Sequence, residues 1–422
     1  MMDVLPDDMV ANILNRLPPC SLAVSRCVCN KWCAVVDTRR LLRADLLPLR
    51  LDGFFFRAEI ERVDTYFFAS PSTGRRIGGC LTDFLDRPVY DTIMDHCNGL
   101  LLLWERVANP ATRQSAHLPP FPEPCVEGFH RKFFLAYDPI ISPQHYEVIL
   151  IPIVPQGEIN DIKFKEESEW PPSTFTTHVF SSTKWRWEER SFVREGEAAG
   201  TIADMHYDWE TRHHHAIYLR GALYVHCHNG SVMRITLSRD KYRMIKSPAE
   251  NKEPDTYLGK SEKGVYYAAL SQGCTWPRFR VWLLNESCDQ IVWVLKIDTN
   301  LQAMVDNFHI DYNARHGTPW IVNYIHEDVS EACAEDESER DFDGGIVLRE
   351  PEDKVATYYS DMIFLGFHPY KEIAFFVVSS TKVVSYHLNS SKVQELGSLR
   401  QPVDRSFPYT ACWMRDLLSE KK

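Results

Sequence analysis

Near residue 50 the hydrophobic pattern changes period, and this change restricts the chain to a short helical leader followed by a large β-domain. Before it, apolar residues recur at spacings of three and four. After it come short alternating runs at residues 53–60, 66–70, 99–104, 133–137, 146–152, 177–181, 222–227, 231–237, 264–270, 279–284, 291–297, 363–367, 373–378 and 382–388, separated by turn residues. Aromatic residues make up 12% of the chain, which suits pleated sheets, and helix-length periodic segments are nearly absent in this part. The clearest hairpin is residues 223–237, where Asn229-Gly230 predicts the two positive φ angles of a type I′ turn.

Such spacing suits a sandwich, a barrel or a propeller. About 370 residues exceed one sandwich, but at about 40 to 50 residues per four-stranded blade they supply roughly seven to nine blades, or fewer with long loops. A β-propeller is therefore the expected form of this all-β domain. Its repeat is degenerate: residues 109–113 ahead of 117–119, and residues 181–185, each read as a strand–turn–strand junction without repeating as text.

The leader reads as three short helices. Asp7 or Asp8 can cap the first, whose residues Met9, Ile13 and Leu17, with Val10 and Leu14 beside them, form a broad apolar stripe. Pro18-Pro19 ends it. Ser21 can cap a second helix carrying Leu22, Val24, Val28 and Cys29, and a third begins near Asn30 with Trp32, Val35 and Val36. Three helices in about forty residues bury little surface of their own, so the apolar excess reads as an interface.

Leu5-Pro6, Ile13-Leu14, Leu17-Pro18, Val28-Cys29 and Trp32, in that order, resemble the F-box. One position departs: Asn30 stands where the family usually has a basic residue, with Lys31 next. Residues 95–120, 180–191, 220–235 and 365–376 resemble the β-propeller-like F-box-associated domains of the large plant families, in particular the grass-type branch. The resemblance implies a three-helix F-box at residues 1–48, a propeller-like domain at 49–415 and a short tail at 416–422. It further implies a non-catalytic substrate receptor of a Skp-cullin-F-box (SCF) ubiquitin ligase, with no cofactor. Leu5, Pro6, Ile13, Leu14, Leu17, Pro18, Leu22, Val28, Cys29 and Trp32 would then meet a Skp-family adaptor or shape the face that does, since some must form the module's own core. Cullin and RING subunits would follow through the adaptor, and the β-domain would hold an unidentified protein substrate. Two alternatives are a scaffold acting outside a ligase and a carbohydrate-binding β-domain.

Charge and chemistry narrow the field. The net charge is −11; residues 1–50 carry +2, leaving −13 on the rest, which argues against nucleic acid or an anionic membrane as main partner. No basic-then-apolar leader and no apolar run of about 18 residues is visible, so a cytosolic or nuclear location is expected. Twelve scattered cysteines, with Cys20, Cys27, Cys29 and Cys33 in the leader, read as reduced thiols packed as small hydrophobes, and no CxxC pair suggests a metal. Asp95-His96-Cys97 has triad-like residue types, but neighbours in a strand face opposite ways, so a turn or core role is expected. His206, His213, His214, His215, His226 and His228 lack a completing carboxylate or cysteine at ligand spacing. No GxxxxGK[ST], HExxH or GxSxG motif occurs. Residues 326–345 hold nine acidic side chains and one Arg, and read as a mobile loop, with an acidic lure or phosphorylation of Ser338 as functional alternatives. Trp185, Trp187 and Trp209 are the aromatic residues considered for a protein-binding face.

Overall fold

The computed structural model describes residues 5–17, 22, 25, 28–39, 41, 51–58, 65–69, 93–125, 128–154, 167–205, 216–249, 255–272, 277–287, 290–308, 320–323, 346–347, 362–399, 402–412, 414 and 417. Among the described residues of the leader, two helices are delimited, α1 (Asp7–Leu14) and α2 (Asn30–Thr38), and Leu22 and Ser25 between them are also helical. Neither expected aspartate caps α1: Pro6 holds the cap position, and Asp7 and Asp8 sit in the first turn, where their charge meets the positive helix end. The third expected helix, beginning near Asn30, is α2, whereas the second, around Leu22, falls mostly on residues outside those described, as do Pro18 and the acidic segment 326–345.

Alternating apolar residues then build one antiparallel sheet after another. The first joins β1 (Gly53–Ala58) and β2 (Thr65–Ala69) to β21 (Ile321–Asn323) and β27 (Val403–Tyr409), in the order β21-β2-β1-β27. The last strand of the chain thus pairs with the first, with Gly53 opposite Tyr409 and Phe55 opposite Phe407. A four-stranded meander follows, β3 (Asp95–Cys97), β4 (Leu100–Leu102), β5 (Arg106–Asn109) and β6 (Gln114–His117). An eight-stranded sheet comes next. It combines β7 (His130–Tyr137), β8 (Tyr146–Ile153), β10 (Thr174–Ser181) and β11 (Arg186–Arg194) with β13 (Ala216–Leu219), β14 (Ala222–His226), β15 (Val232–Thr236) and β16 (Lys241–Ile245). Its halves are joined in the ladder by a short parallel pairing of β11 with β16, at Val193 with Lys241 and Arg194 with Tyr242. A small pair, β9 (Glu169–Trp170) and β12 (Gly200–Thr201), lies beside it.

Two further sheets complete the domain. One is the meander β17 (Asp255–Ser261), β18 (Gly264–Ser271), β19 (Arg278–Ser287) and β20 (Gln290–Asn300), followed by a short helix α3 (Gln302–Asn307). The other runs β22-β26-β25-β24-β23, from β22 (Ile346–Val347), β23 (Ile363–Phe367), β24 (Ile373–Val378), β25 (Lys382–His387) and β26 (Lys392–Ser398). Among the described residues this makes six units of about four strands, fewer than the seven to nine that length alone suggests. Strands β16, β17 and β27 were not expected from the sequence, because charged residues interrupt their apolar runs and only the neighbouring strands make the pairing favourable.

The core lies between sheets. Six apolar clusters are each shared by two units: Phe55 and Phe407 with Leu101; Leu102 with Leu150; Phe134 with Leu223; Tyr224 with Tyr267; Leu270 with Phe376; and Phe375 with Phe54. The series returns to the sheet that began it. Edge strands β27, β3, β7, β13, β17 and β23, one per unit, face one another along the same circuit.

Candidate functional site

The helical leader divides its apolar residues between a core and a surface. Val10, Leu14, Leu22, Val35 and Val36 are buried together, with Ala11, Leu17, Trp32 and Leu41 packed against them. Leu5, Met9, Ile13 and Val28 keep 39%, 53%, 52% and 60% of their surface exposed, and Pro6 and Cys29 are exposed as well. Met9 and Ile13 stand one turn apart on α1, so they share a face. Of the residues singled out from the sequence, Leu14 and Leu22 are core, Leu17 and Trp32 are half-buried, and Leu5, Pro6, Ile13, Val28 and Cys29 are accessible. Cys29 therefore departs from the expectation of a packed thiol. It precedes α2, and the Trp32 amide donates to its sulfur at 3.5 Å, a weak version of an N-cap.

Polar contacts hold the two helices in this arrangement. Lys31 donates from Nζ to the Leu5 carbonyl at 2.8 Å and lies 3.8 Å from Asp7, while Arg39 pairs with Asp8. The basic side chain one position beyond Asn30 thus secures the start of α1. These pairs are exposed, and each stabilises by roughly 1 kcal/mol or less.

On the β-domain, edge strands β3, β13, β17, β23 and β27 enclose a cavity of about 80 Å³, into which His96, Lys260, Tyr218 and Ser406 project. The Asn98-Gly99 turn places it: Asn98 (φ 46°) and Gly99 (φ 90°) link Cys97 to Leu100 in a two-residue hairpin, and a Cβ on Gly99 would lie 2.4 Å from Cys412 Cβ. Lys260 donates to Asn98 Oδ1, and Asn98 donates in turn to the Tyr137 carbonyl at 2.6 Å. Burial holds Lys260 below its ordinary pKa, takes His96 down to about 3 and pushes the Cys97 thiol up to about 12. Asp95 accepts the Leu135 amide at 2.8 Å, and burial raises its carboxyl to about 7. Asp95 and Cys97 are buried on one side of β3 while His96 faces the cavity, so the three do not form a triad.

Other sequence candidates have structural work. His226 ends β14, buried against Tyr267, whose hydroxyl is 3.3 Å from Nε2. His228 lies beyond the strand, in the turn. That turn also differs from expectation: only Gly230 has positive φ (77°), Gly230 N donates to the Cys227 carbonyl at 3.0 Å, and Asn229 Oδ1 accepts from Ser231 N at 3.1 Å. It is a three-residue loop in place of type I′. His206, His213, His214, His215 and Trp209 lie outside the described residues. His368 accepts the Tyr370 and Lys371 amides at 3.1 and 3.0 Å through Nδ1, and burial takes its pKa down to about 3. The two expected junctions do connect strands, β5 to β6 and β10 to β11.

Trp185 and Trp187 pack against the core, and Trp187 donates to the Pro119 carbonyl at 3.1 Å. Among the described residues, the aromatic side chain that remains exposed is Trp104, at 51%, edge-on to Phe121 and Phe133 at 5.8 and 5.4 Å. It was read from the sequence only as a strand end. A cluster of Cys125, His178 and Glu189 was also missed: their donor atoms lie within 4.8 Å of one another, but they come from a loop and two strands. Cys29, Cys97, Cys125, Cys227 and Cys412 are free thiols, and no described helix is long and apolar enough to cross a membrane.

Comparison with protein families matches residues 2–44 to the F-box domain. A protein of Arabidopsis thaliana described as an F-box protein is 32% identical over a region covering 33% of this chain. That region spans 48% of the relative's length, about half. Among solved structures, prolyl oligopeptidase B from Galerina marginata aligns over 82% of this chain and 33% of its own, at 8% identity and a TM-score of 0.30, and a second structure of it with an S577A substitution gives the same score over 34% of its own length.

Proposed function

We propose that this chain is a substrate receptor of an SCF-type ubiquitin ligase, joining a Skp-family adaptor through the helical leader to a protein substrate held by the β-domain. The observation that carries this reading is the exposed apolar set Leu5, Met9, Ile13 and Val28, lying over a separate buried core in the segment that matches the F-box domain. Covering such side chains is worth about 1.5–3 kcal/mol each when burial is complete, so four half-exposed ones supply several kcal/mol to association. Leu14 and Leu22 act by shaping this face, and Pro6 and Cys29 border it.

The β-domain is read as a six-bladed propeller whose first blade is closed by β27, supported by the paired sheets and the circuit of shared clusters. Trp104 is the aromatic anchor assigned to the substrate. The chain performs no bond chemistry in this reading. Cullin and RING subunits bring the conjugating enzyme, and tethering raises the local concentration of a substrate lysine near its donor. Work of this kind belongs in the cytosol or nucleus.

Co-purification of the full-length chain with a Skp-family adaptor tests the reading, beside a variant carrying Leu5→Ala, Met9→Ala and Ile13→Ala. Retention of the native chain and loss of the variant, with the β-domain's unfolding transition unchanged, is the expected result. Failure of the folded native chain to bind any Skp-family adaptor overturns it.

A further inference from the structure

We propose that Cys125, His178 and Glu189 form a zinc site that fastens the segment around Cys125 to strands β10 and β11. This assignment is independent of the adaptor-binding reading. His178 and Glu189 are directly opposite each other in the β10–β11 ladder, so the sheet itself sets their separation. Cys125 arrives from 53 positions earlier in the chain, and its sulfur sits 3.2 Å from His178 Nδ1. All three donor atoms lie within 4.8 Å of one another, so small side-chain rotations would bring them to one ion at the usual bond lengths of about 2.0–2.3 Å, with water as the fourth ligand.

The donor chemistry selects the metal. A thiolate, an imidazole and a carboxylate suit zinc; calcium and magnesium want oxygen alone. Glu189 makes no ion pair among the described residues. Arg131 is the neighbouring cation, and its guanidinium is already engaged by the Pro122 carbonyl.

The site has a structural consequence. Phe121, four residues before Cys125, packs with tilted rings against Phe133 at 4.8 Å and Trp187 at 5.7 Å and touches Trp104. Zinc at Cys125 would hold this segment down and keep the accessible aromatic patch in shape.

The test uses the full-length chain, stripped by a chelator and titrated with zinc against a chromophoric competitor. Expected are one equivalent bound, affinity weakened on the order of a hundredfold in Cys125→Ser, a smaller loss in Glu189→Gln, and no change in Cys227→Ser. Cobalt in place of zinc should show a thiolate charge-transfer band that Cys125→Ser abolishes, and zinc should slow proteolysis near residue 125. Equal zinc binding by Cys125→Ser and the native chain, or no binding by either, overturns the site. All three side chains are at or near the surface, so the variants should fold, and circular dichroism checks that they do. No adaptor is present, so the outcome does not bear on the ligase reading.

Discussion

The helical leader and the β-domain bury apolar residues in opposite ways. In the leader, five buried side chains support a surface on which four large apolar residues remain exposed. In the β-domain, six clusters join neighbouring sheets and the final strand pairs with the first. A segment that cannot cover its own apolar surface gains stability by binding, whereas a domain whose sheets cover one another is stable alone and leaves its edges and loops for recognition. Under the proposed function, this difference would let the short segment dock while the larger part carries specificity.

The strongest challenge to this contrast is a cavity in the β-domain. Phe375 is fully buried, 4.9 Å edge-to-face from Phe54, and Phe375→Ala should cost about 3–5 kcal/mol in denaturant unfolding while adaptor binding by the folded fraction persists. Loss of adaptor binding from molecules whose β-domain is folded would show that the two regions are not independent.

The next effect is a pH dependence that belongs to the β-domain. Asp95, raised by burial to about 7, keeps in the folded state a proton that the unfolded chain releases near pH 3.9. Its favourable contribution is therefore present below about pH 4 and is lost as pH rises through 7, by up to about 1.4 kcal/mol per unit. His96 and His368, both taken down to about 3, act in the reverse direction: their contribution is present above pH 6.5 and lost as pH falls. Asp95→Asn retains an acceptor for the Leu135 amide, so its stability relative to the native chain should climb from pH 4 to 7 and then level off. A difference independent of pH would refute the assigned titration.

In the leader the prediction separates core from face. Leu14→Ala should cost about 2–4 kcal/mol of local stability, read as faster amide exchange in α1, and weaken adaptor binding through that loss. Ile13→Ala should leave exchange within about 0.5 kcal/mol of native yet still weaken adaptor binding. Equal exchange in the two variants would mean the division between core and face is misplaced.

The smallest effects concern the two Asn-Gly turns. Gly230→Ala should cost about 1 kcal/mol, since its φ is 77° but the nearest atom to a new Cβ is the Tyr267 hydroxyl at 3.2 Å. Gly99→Ala should cost more, because the Cβ meets both Cys412 and the Thr410 carbonyl within 2.5 Å. Melting temperatures of the two variants decide the order.

These turns also show how far local sequence reaches. The same dipeptide predicted type I′ at residues 229–230, and a two-residue turn with both φ angles positive formed at 98–99 instead. The dipeptide permits positive φ; the register of the flanking strands decides whether both residues adopt it. Expected strands with two buried faces, such as residues 264–270 and 373–378, coincide closely with β18 and β24. Strand β27 was missed because Asp404, Arg405 and Pro408 break its alternation, and its pairing with β1 spans almost the whole domain. Among candidate residues, the apolar order of the leader was legible. Its division into core and surface was not, because neighbouring positions of one apolar stripe, such as Ile13 and Leu14, take opposite fates.

The sequence by itself determined the change from helical to strand period, the apolar order of the leader and the all-β character of the remainder, because these depend on side-chain spacing within a few residues. Only the tertiary structure decided which leader residues stay exposed, which edge strands enclose the cavity around Lys260, and that Cys125 meets His178 and Glu189. Each of these depends on contacts between residues far apart in the chain, and the spacing of neighbours carries no record of them.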